Sequence, residues 1–305
     1  MDPMTLSASI VAAAIANMSF ACTVGVCLAA LMLHDAPPLV RHRLRPLAIA
    51  GIGTLIVADT AILALESALM SGSEPVAAFA LLVPVLAHSH YGATWFAGIV
   101  ALIVWMGLLA GSRDFGRPAR TGVALCAAAV FAFSRAASSH AADAGDFSLP
   151  EWIHWAHLCA TASWAGLVIA SGLSVLPMLR IDSTGEVLAT FAGRLSRAAL
   201  IAVSVVLVSG IYNADRGLGD SLLPLARSGW GIVLDAKLVL VGVAVVLGAI
   251  NRLLYLPHVR CRAHRGAANS FTAILKVEAI TLLGVLCAAA LLAHSVPGAD
   301  MGAGS

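Results

Sequence analysis

The densest set of metal-binding side chains in this sequence lies between residues 140 and 157. Glu151, His154 and His157 follow one another at intervals of three residues, a spacing that keeps them on one broad face of a helix. His140 precedes a short acidic loop that leads into the same helix. The three histidines therefore predict a transition-metal site, with Glu151 as a ligand or as an acceptor that orients an imidazole.

Other candidate ligands are spread along the chain. His88, His90 and His294 lie at the edges of apolar segments and are second-choice ligands. Softer donors predict an ion path deeper in the molecule, because thiolate and thioether groups favour Cu(I). The predicted path comprises Met18, Cys22, Cys159, Cys287 and the carboxylate of Asp59. Ordinary packing is the alternative for the sulfur-containing side chains, since both residue types also behave as apolar core residues.

The composition indicates an all-α polytopic membrane protein. The chain is 60% apolar and only 11% charged, and its mean hydropathy is +0.93. Eight apolar runs are long enough to cross a bilayer as helices. They lie near residues 6–32, 46–70, 92–111, 121–141, 152–177, 194–214, 230–253 and 271–294. The first run lacks a basic leader, so we expect it to be retained as a span.

The loops carry a strong charge asymmetry, which predicts the orientation of the spans. Every second loop is rich in arginine, and such loops stay on the cytoplasmic side. These arginines are Arg41, Arg43, Arg45, Arg113, Arg117, Arg120, Arg180, Arg260, Arg262 and Arg265. Both termini and the candidate metal ligands are then predicted to lie outside. A further apolar piece at Pro75–Ala87 is too short to span and predicts a re-entrant or interfacial helix.

Several ionisable residues fall inside the predicted spans. They are Asp59, Glu66, Arg135, Asp235 and Lys237. Charges are costly in hydrocarbon and normally face a bundle interior or a wet cavity. They can pair structurally, line an ion route or carry protons, and the sequence does not choose among these roles. The outer histidines likewise have a simpler interpretation, as solvated side chains at the membrane edge.

We expect residues 1–305 to form a single transmembrane domain, with two related halves at 1–141 and 150–296. Spans 4 and 8 end in His140-Ala141 and His294-Ser295. Four spans per half would give both halves the same topology, related by an axis near the membrane normal. The six cysteines show no CxxC spacing and predict no disulfide framework. No catalytic residues are predicted, and nothing indicates nucleic-acid binding.

From Phe191 to Pro257 the sequence resembles the copper resistance protein D (CopD) family. The resemblance rests on FAGRLSRAALIAVSVVLVSGIYNA, then WGIVLDAKLVL, then LGAINRL. Residues 139–142 (SHAA) and 154–167 (HWAHLCATASWAGL) are similar to the central stretch of the family. His140, His154 and His157 occupy family-like positions. The resemblance implies an inner-membrane protein of copper handling, thought to move copper into the cytoplasm and to work with a small periplasmic copper-binding protein.

The predicted function is copper uptake across the inner membrane from a periplasmic, histidine-rich entry site, with copper as Cu(I) or Cu(II). The expected partners are membrane lipid and the small periplasmic protein. Two alternatives remain open at this stage. One is a b-type haem redox protein, since haem also uses histidines that project from membrane helices. The other is a copper-binding or sensor subunit that does not move the ion.

Overall fold

The prediction of an all-α membrane protein is confirmed by the computed structural model. It describes residues 3–36, 38–71, 83, 86–111, 115–182, 185–219, 225, 228–261 and 265–295, and this part of the chain contains helices and no strand. Eight helices within it are long and apolar enough to cross a membrane. The predicted short helix at Pro75–Ala87 lies largely outside the described residues, as do Arg113 and Arg262.

The eight membrane helices follow one another in the chain order that the sequence predicts. They are α1 (Pro3–Met32), α2 (Pro38–Ser71), α3 (His90–Ala110), α4 (Pro118–Ala137), α5 (Leu149–Ala170), α6 (Gly185–Leu218), α7 (Gly229–Ile250) and α8 (Arg265–Ala293). The helix α6 has 34 residues and begins well before the predicted apolar run. Its first turns therefore extend beyond the hydrocarbon core, whose thickness of about 30 Å needs only about 20 helical residues.

Two helices continue past a locally widened turn. In α5 the widened turn covers Ser171–Val175 and leads into Leu176–Asp182, and in α7 it covers Asn251–Tyr255 and leads into Leu256–Arg260. A proline follows each widened turn, at Pro177 or Pro257. Proline lacks a backbone N–H and clashes with the carbonyl four residues earlier, so a wider turn lets the helix continue.

The helices α1 and α5 form the centre of the bundle. Gly25 and Gly166 bring the two backbones into contact, and a Cβ atom on either glycine would strike the other helix. The central helix α1 also packs on α2 and α8, while α5 packs on α6 and α4. Further packed pairs include α3 with α4, α7 with α8, α5 with α8 and α2 with α3. The pairing is alike in the two halves, and a duplicated four-helix unit stays a prediction.

Contacts between helix ends divide the bundle into two faces. At one end, which we call the arginine face, Arg194 bonds Met32 and Asp35, and Arg45 bonds Ala110. At the other end, the histidine face, His90 pairs with Asp146. The charge asymmetry predicted from the loops is thus a property of the folded bundle, with arginine-bearing loops together at one end.

Candidate metal site and its polar neighbours

His154 and His157 form a pair of imidazoles on the first turns of α5, near the histidine face. Their ring centroids are 6.5 Å apart and the ring planes differ by 17°. Pro150 stands in the first turn of α5, where its missing N–H costs nothing. Both imidazoles are half-buried between helices. The prediction that these two histidines share a helix face is therefore met in the structure.

The imidazoles are held from the neighbouring helix α6. His157 Nδ1 lies 2.9 Å from Ser209 Oγ, and the Ser209 hydroxyl donates to the Val205 carbonyl at 2.6 Å. A hydroxyl has one proton, so Ser209 Oγ accepts from His157 Nδ1–H. That tautomer leaves a lone pair on His157 Nε2, the nitrogen available to bind a metal. Gly210 gives the ring room, because a Cβ atom there would lie 3.3 Å from it.

His154 has a matching contact one turn along α6. Its Nδ1 lies 3.4 Å from the side-chain amide of Asn213. Ser209 and Asn213 are four residues apart and therefore face the same way on α6. Neither residue is predicted from the sequence to be part of a site. The sequence does show them as two polar side chains, four residues apart, within a long apolar run. Such a pair indicates a polar face on a membrane helix.

Lys237 is the charged group that couples electrostatically to both imidazoles. It projects from α7, is half-buried, and its charge reaches His154 and His157. A metal cation at this pair would be repelled by the ammonium group, and the repulsion is strong where water is scarce. The other ionisable residue predicted on this helix, Asp235, is exposed on its surface.

Glu151 has a structural contact in the loop before α5. Its side chain is 2% exposed, and its carboxylate accepts the backbone N–H of Phe147. Phe147 has a positive φ of 58°, a conformation that an L residue other than glycine adopts at some cost. The bond from Glu151 stabilises this turn, and the described contacts of its carboxylate do not include the histidine pair.

His140 does not join His154 and His157 in the structure. It begins a short 3₁₀ turn, His140–Ala144, and its exposed side chain pairs with Asp143 at 3.3 Å. Within the described ranges, no three His, Cys, Asp or Glu side chains come together as a metal site. The expected convergence of His140 with the pair is therefore corrected. The loop does lead back to α5. The 3₁₀ turn, however, places His140 beside Asp143 of the same turn.

The second-choice histidines lie apart from the pair. His88 is exposed, and His90 pairs with Asp146 at 3.2 Å. His294 sits at the end of α8, where its Nε2 is 3.1 Å from Ser9 Oγ and 3.5 Å from a Glu66 carboxylate oxygen. This contact joins three helices from both halves of the chain.

Asp59 is a buried carboxylate that pairs with the half-buried Arg135 in the first half. Its carboxylate is 3.4 Å from the Arg135 guanidinium of α4, and Trp95 donates to its backbone carbonyl. The pair borders a small polar cavity whose lining also includes Tyr91 and Ser134. Toward the arginine face α2 presents fully buried apolar side chains, including Leu55 and Ile52. The carboxylate of Asp59 is thus paired with a cation of its own half of the chain.

The sulfur donors of the predicted path are dispersed. Met18 and Cys22 pack against the apolar core from α1. Cys159 is half-buried on α5, two residues beyond His157, and Cys287 is half-buried on α8. No group of three His, Cys, Asp or Glu side chains forms a metal site around these cysteines in the part of the chain that the structure describes. A path through these residues stays a prediction.

Comparisons with known proteins show the family to which the chain is related. A family model described as Copper resistance protein D-like, N-terminal domain, matches residues 4–148, and one described as Copper resistance protein D matches residues 189–292. The chain belongs to the copper resistance protein D family. The second match includes Ser209, Asn213 and Lys237, and His154 and His157 fall between the two matches.

One curated relative is Copper resistance protein D of Pseudomonas syringae pv. tomato, which is 28% identical over 138 residues. The matched stretch covers 43% of this chain and 44% of that relative, so it spans less than half the relative's length. No solved structure matches the chain. Membership of the family supports a copper-related role for this multi-pass membrane protein.

Proposed function

We propose that this protein carries copper across the inner membrane, from the periplasm to the cytoplasm, and that His154 and His157 bind the ion on entry. The observation that carries the proposal is the oriented imidazole pair. Ser209 fixes the tautomer of His157, and Asn213 contacts His154 from the same face of α6. Such supporting hydrogen bonds are typical of histidines that ligate metals.

The cargo that fits the pair best is Cu(I). Two imidazoles with few other donors suit an ion that accepts low coordination, whereas Cu(II) prefers four ligands in a tetragonal plane. The donor set of two imidazoles, with no third ligand among the described residues, therefore favours the reduced ion. The thiol of Cys159, two residues beyond His157 on α5, is a soft donor for a subsequent step.

The arginine loops support the direction of the proposal. Arginine-rich loops remain in the cytoplasm, so the histidine face is on the periplasmic side. Copper delivered by a small periplasmic binding protein would then meet the exposed His140 and His90 before reaching the half-buried pair. In this view the exposed histidines are docking or pre-binding residues.

The haem alternative receives no support from the pair. A haem with two axial histidines lies between them, so its ligands come from opposite sides of a wide porphyrin. His154 and His157 lie three residues apart on the same helix, and a porphyrin has no room between adjacent turns. The absorption spectrum of the purified protein tests this point, since a Soret band would support the haem alternative.

The test is Cu(I) binding by the purified protein against a competing chelator, followed by copper uptake into proteoliposomes. In the double variant with His154→Ala and His157→Ala, the affinity for Cu(I) should fall by more than tenfold. This variant should not support copper uptake. His258→Ala is the matched control, because His258 is exposed on the arginine face. Parent-like binding and uptake by the double variant would overturn the proposal.

His140→Ala separates the pair from the exposed turn. We expect its Cu(I) affinity to stay within about threefold of the parent, since His140 contacts only Asp143 among the described side chains. Copper efflux from loaded vesicles, without uptake into empty ones, would reverse the proposed direction and leave the binding site intact.

A further inference from the structure

A polar groove opens at the arginine face between the start of α6 and the end of the α7 extension. Its volume is about 350 Å³. The lining residues are Glu186, Ala189, Thr190, Gly193, Arg197 and Arg260. Glu186, Thr190, Gly193 and Arg197 recur at intervals of three or four residues, so they lie on one face of α6. The groove is separate from the histidine pair, which lies near the other end of the bundle.

Two exposed guanidinium groups in this groove have no partner among the residues that the structure describes. Arg197 and Arg260 make no hydrogen bond or ion pair with any described residue, although neighbouring arginines do. Arg252 donates to the Ser196 carbonyl and hydroxyl at 3.1 and 2.7 Å, and this contact fastens α7 to α6. The contact between Arg252 and Ser196 therefore holds the two helices together beside the groove. The side chains of Arg197 and Arg260 remain available to bind an anion.

Gly193 allows Arg260 to lie close against α6. A Cβ atom at residue 193 would come within 2.6 Å of the Arg260 guanidinium. The glycine is thus required for this placement, which brings a cation from α7 onto the α6 face that carries Arg197. Two guanidinium groups from different helices provide several N–H donors for one phosphate group.

Apolar surface adjoins the cationic groove on both helices. Ile201, one turn beyond Arg197, is 68% exposed, and Leu253 on α7 is 69% exposed. In a membrane protein these side chains face the acyl chains of the bilayer. The arginines therefore lie at the boundary between hydrocarbon and water, next to surface that suits a lipid tail.

We propose that this groove binds one anionic phospholipid, with its phosphate between Arg197 and Arg260 and its acyl chains along the exposed faces of α6 and α7. A phosphate without acyl chains would use only the guanidinium groups. The headgroup of a zwitterionic lipid also carries a positive charge, which the two arginines would repel. The combination of unpaired cations and adjoining apolar surface selects the anionic lipid.

The test is native mass spectrometry of the full-length protein in detergent, titrated with dioleoyl phosphatidylglycerol or dioleoyl phosphatidylcholine. We expect one tightly retained phosphatidylglycerol molecule on the parent. Affinity should fall about fivefold for Arg197→Gln or Arg260→Gln and by more than tenfold for the double variant. Arg197→Lys with Arg260→Lys should retain most of the binding, because the positive charges are kept.

Arg216→Gln is the matched control, since it removes the same charge from an exposed position at the other end of α6. Parent-like lipid retention by the double glutamine variant would overturn the proposal. Equal retention of phosphatidylcholine, or displacement of the bound lipid by millimolar inorganic phosphate, would also overturn it. Size-exclusion profiles and circular dichroism show whether each variant is folded.

Discussion

The two halves of the molecule treat their buried polar groups in opposite ways. In the first half, the Asp59 carboxylate is paired with Arg135, so its charge is already compensated. In the second half, two neutral side chains of α6 contact the imidazoles, and the charge that acts on both imidazoles is the cation Lys237. The first arrangement is complete without a ligand, whereas the second leaves a nitrogen lone pair available.

The central helices show where this difference begins. Gly25 of α1 and Gly166 of α5 meet at the contact between the halves. If the two glycines are taken as equivalent positions, His154 corresponds to Ala13 and His157 corresponds to Ala16. The histidines lie twelve and nine residues before Gly166, and the alanines lie equally far before Gly25. Both alanines are buried in the core. One central helix is thus specialised for packing and the other carries the candidate ligands.

The largest effect is expected from breaking the charge pair of the first half. Arg135→Ala leaves the buried Asp59 without its partner, which should lower the free energy of unfolding by about 3–5 kcal/mol. The measurement is thermal unfolding in detergent followed by size exclusion. Adding Asp59→Asn should restore most of the stability, because no uncompensated charge then remains. A variant with parent-like stability but without copper binding would show that the first half contains the site.

The next effect comes from loosening the histidine pair of the second half. Ser209→Ala removes the acceptor that fixes the tautomer of His157, and we expect Cu(I) affinity to fall about tenfold. Ser204→Ala is the control, since its hydroxyl bonds only the Leu200 carbonyl on the same helix. Unchanged affinity in Ser209→Ala, measured by chelator competition, would mean that α6 does not orient the ligand.

A smaller effect, of opposite sign, is expected from the cation of the second half. Lys237→Gln removes a positive charge that interacts with both imidazoles, so Cu(I) affinity should rise roughly three- to tenfold. Lys276→Gln is the matched control, because Lys276 is exposed on α8. A fall in affinity for Lys237→Gln alone would show that the ammonium group supports the site instead of opposing the ion.

The smallest effect concerns the contact that joins the halves. The hydrogen bond to the Glu66 carboxylate raises the pKa of His294 above its usual range, while burial and, less strongly, Arg135 oppose this shift. The stabilisation from this pair is therefore fully present below the ordinary histidine pKa of about 6.5, and it is lost as the pH rises through the raised value.

Glu66→Gln should consequently lower the melting temperature by about 2 °C at pH 6 and have little effect at pH 9. Thermal unfolding at both pH values measures the difference. The control is His140→Ala, whose exposed histidine makes no contact between helices. A Glu66→Gln effect that grows with pH would contradict the assignment of a protonated His294 to this pair.

The sequence by itself determined the class of fold and the family. Apolar runs longer than a bilayer is thick require helices, because backbone polar groups in lipid must bond within the segment. The spacing of His154 and His157 likewise determined that they share a face, since helical geometry is local. Membership of the copper resistance protein D family, which the motifs of α6 and α7 predicted, was confirmed by the family matches.

Only the tertiary structure decided which side chains meet. His140 is close to the pair in the sequence, yet a 3₁₀ turn pairs it with Asp143, while Ser209 lies 52 residues from His157 and bonds it directly. Likewise Asp59 finds its partner 76 residues away in Arg135. Helical periodicity specifies the face of a residue, but the neighbour of that face depends on how helices pack, which follows from distant contacts such as Gly25 with Gly166.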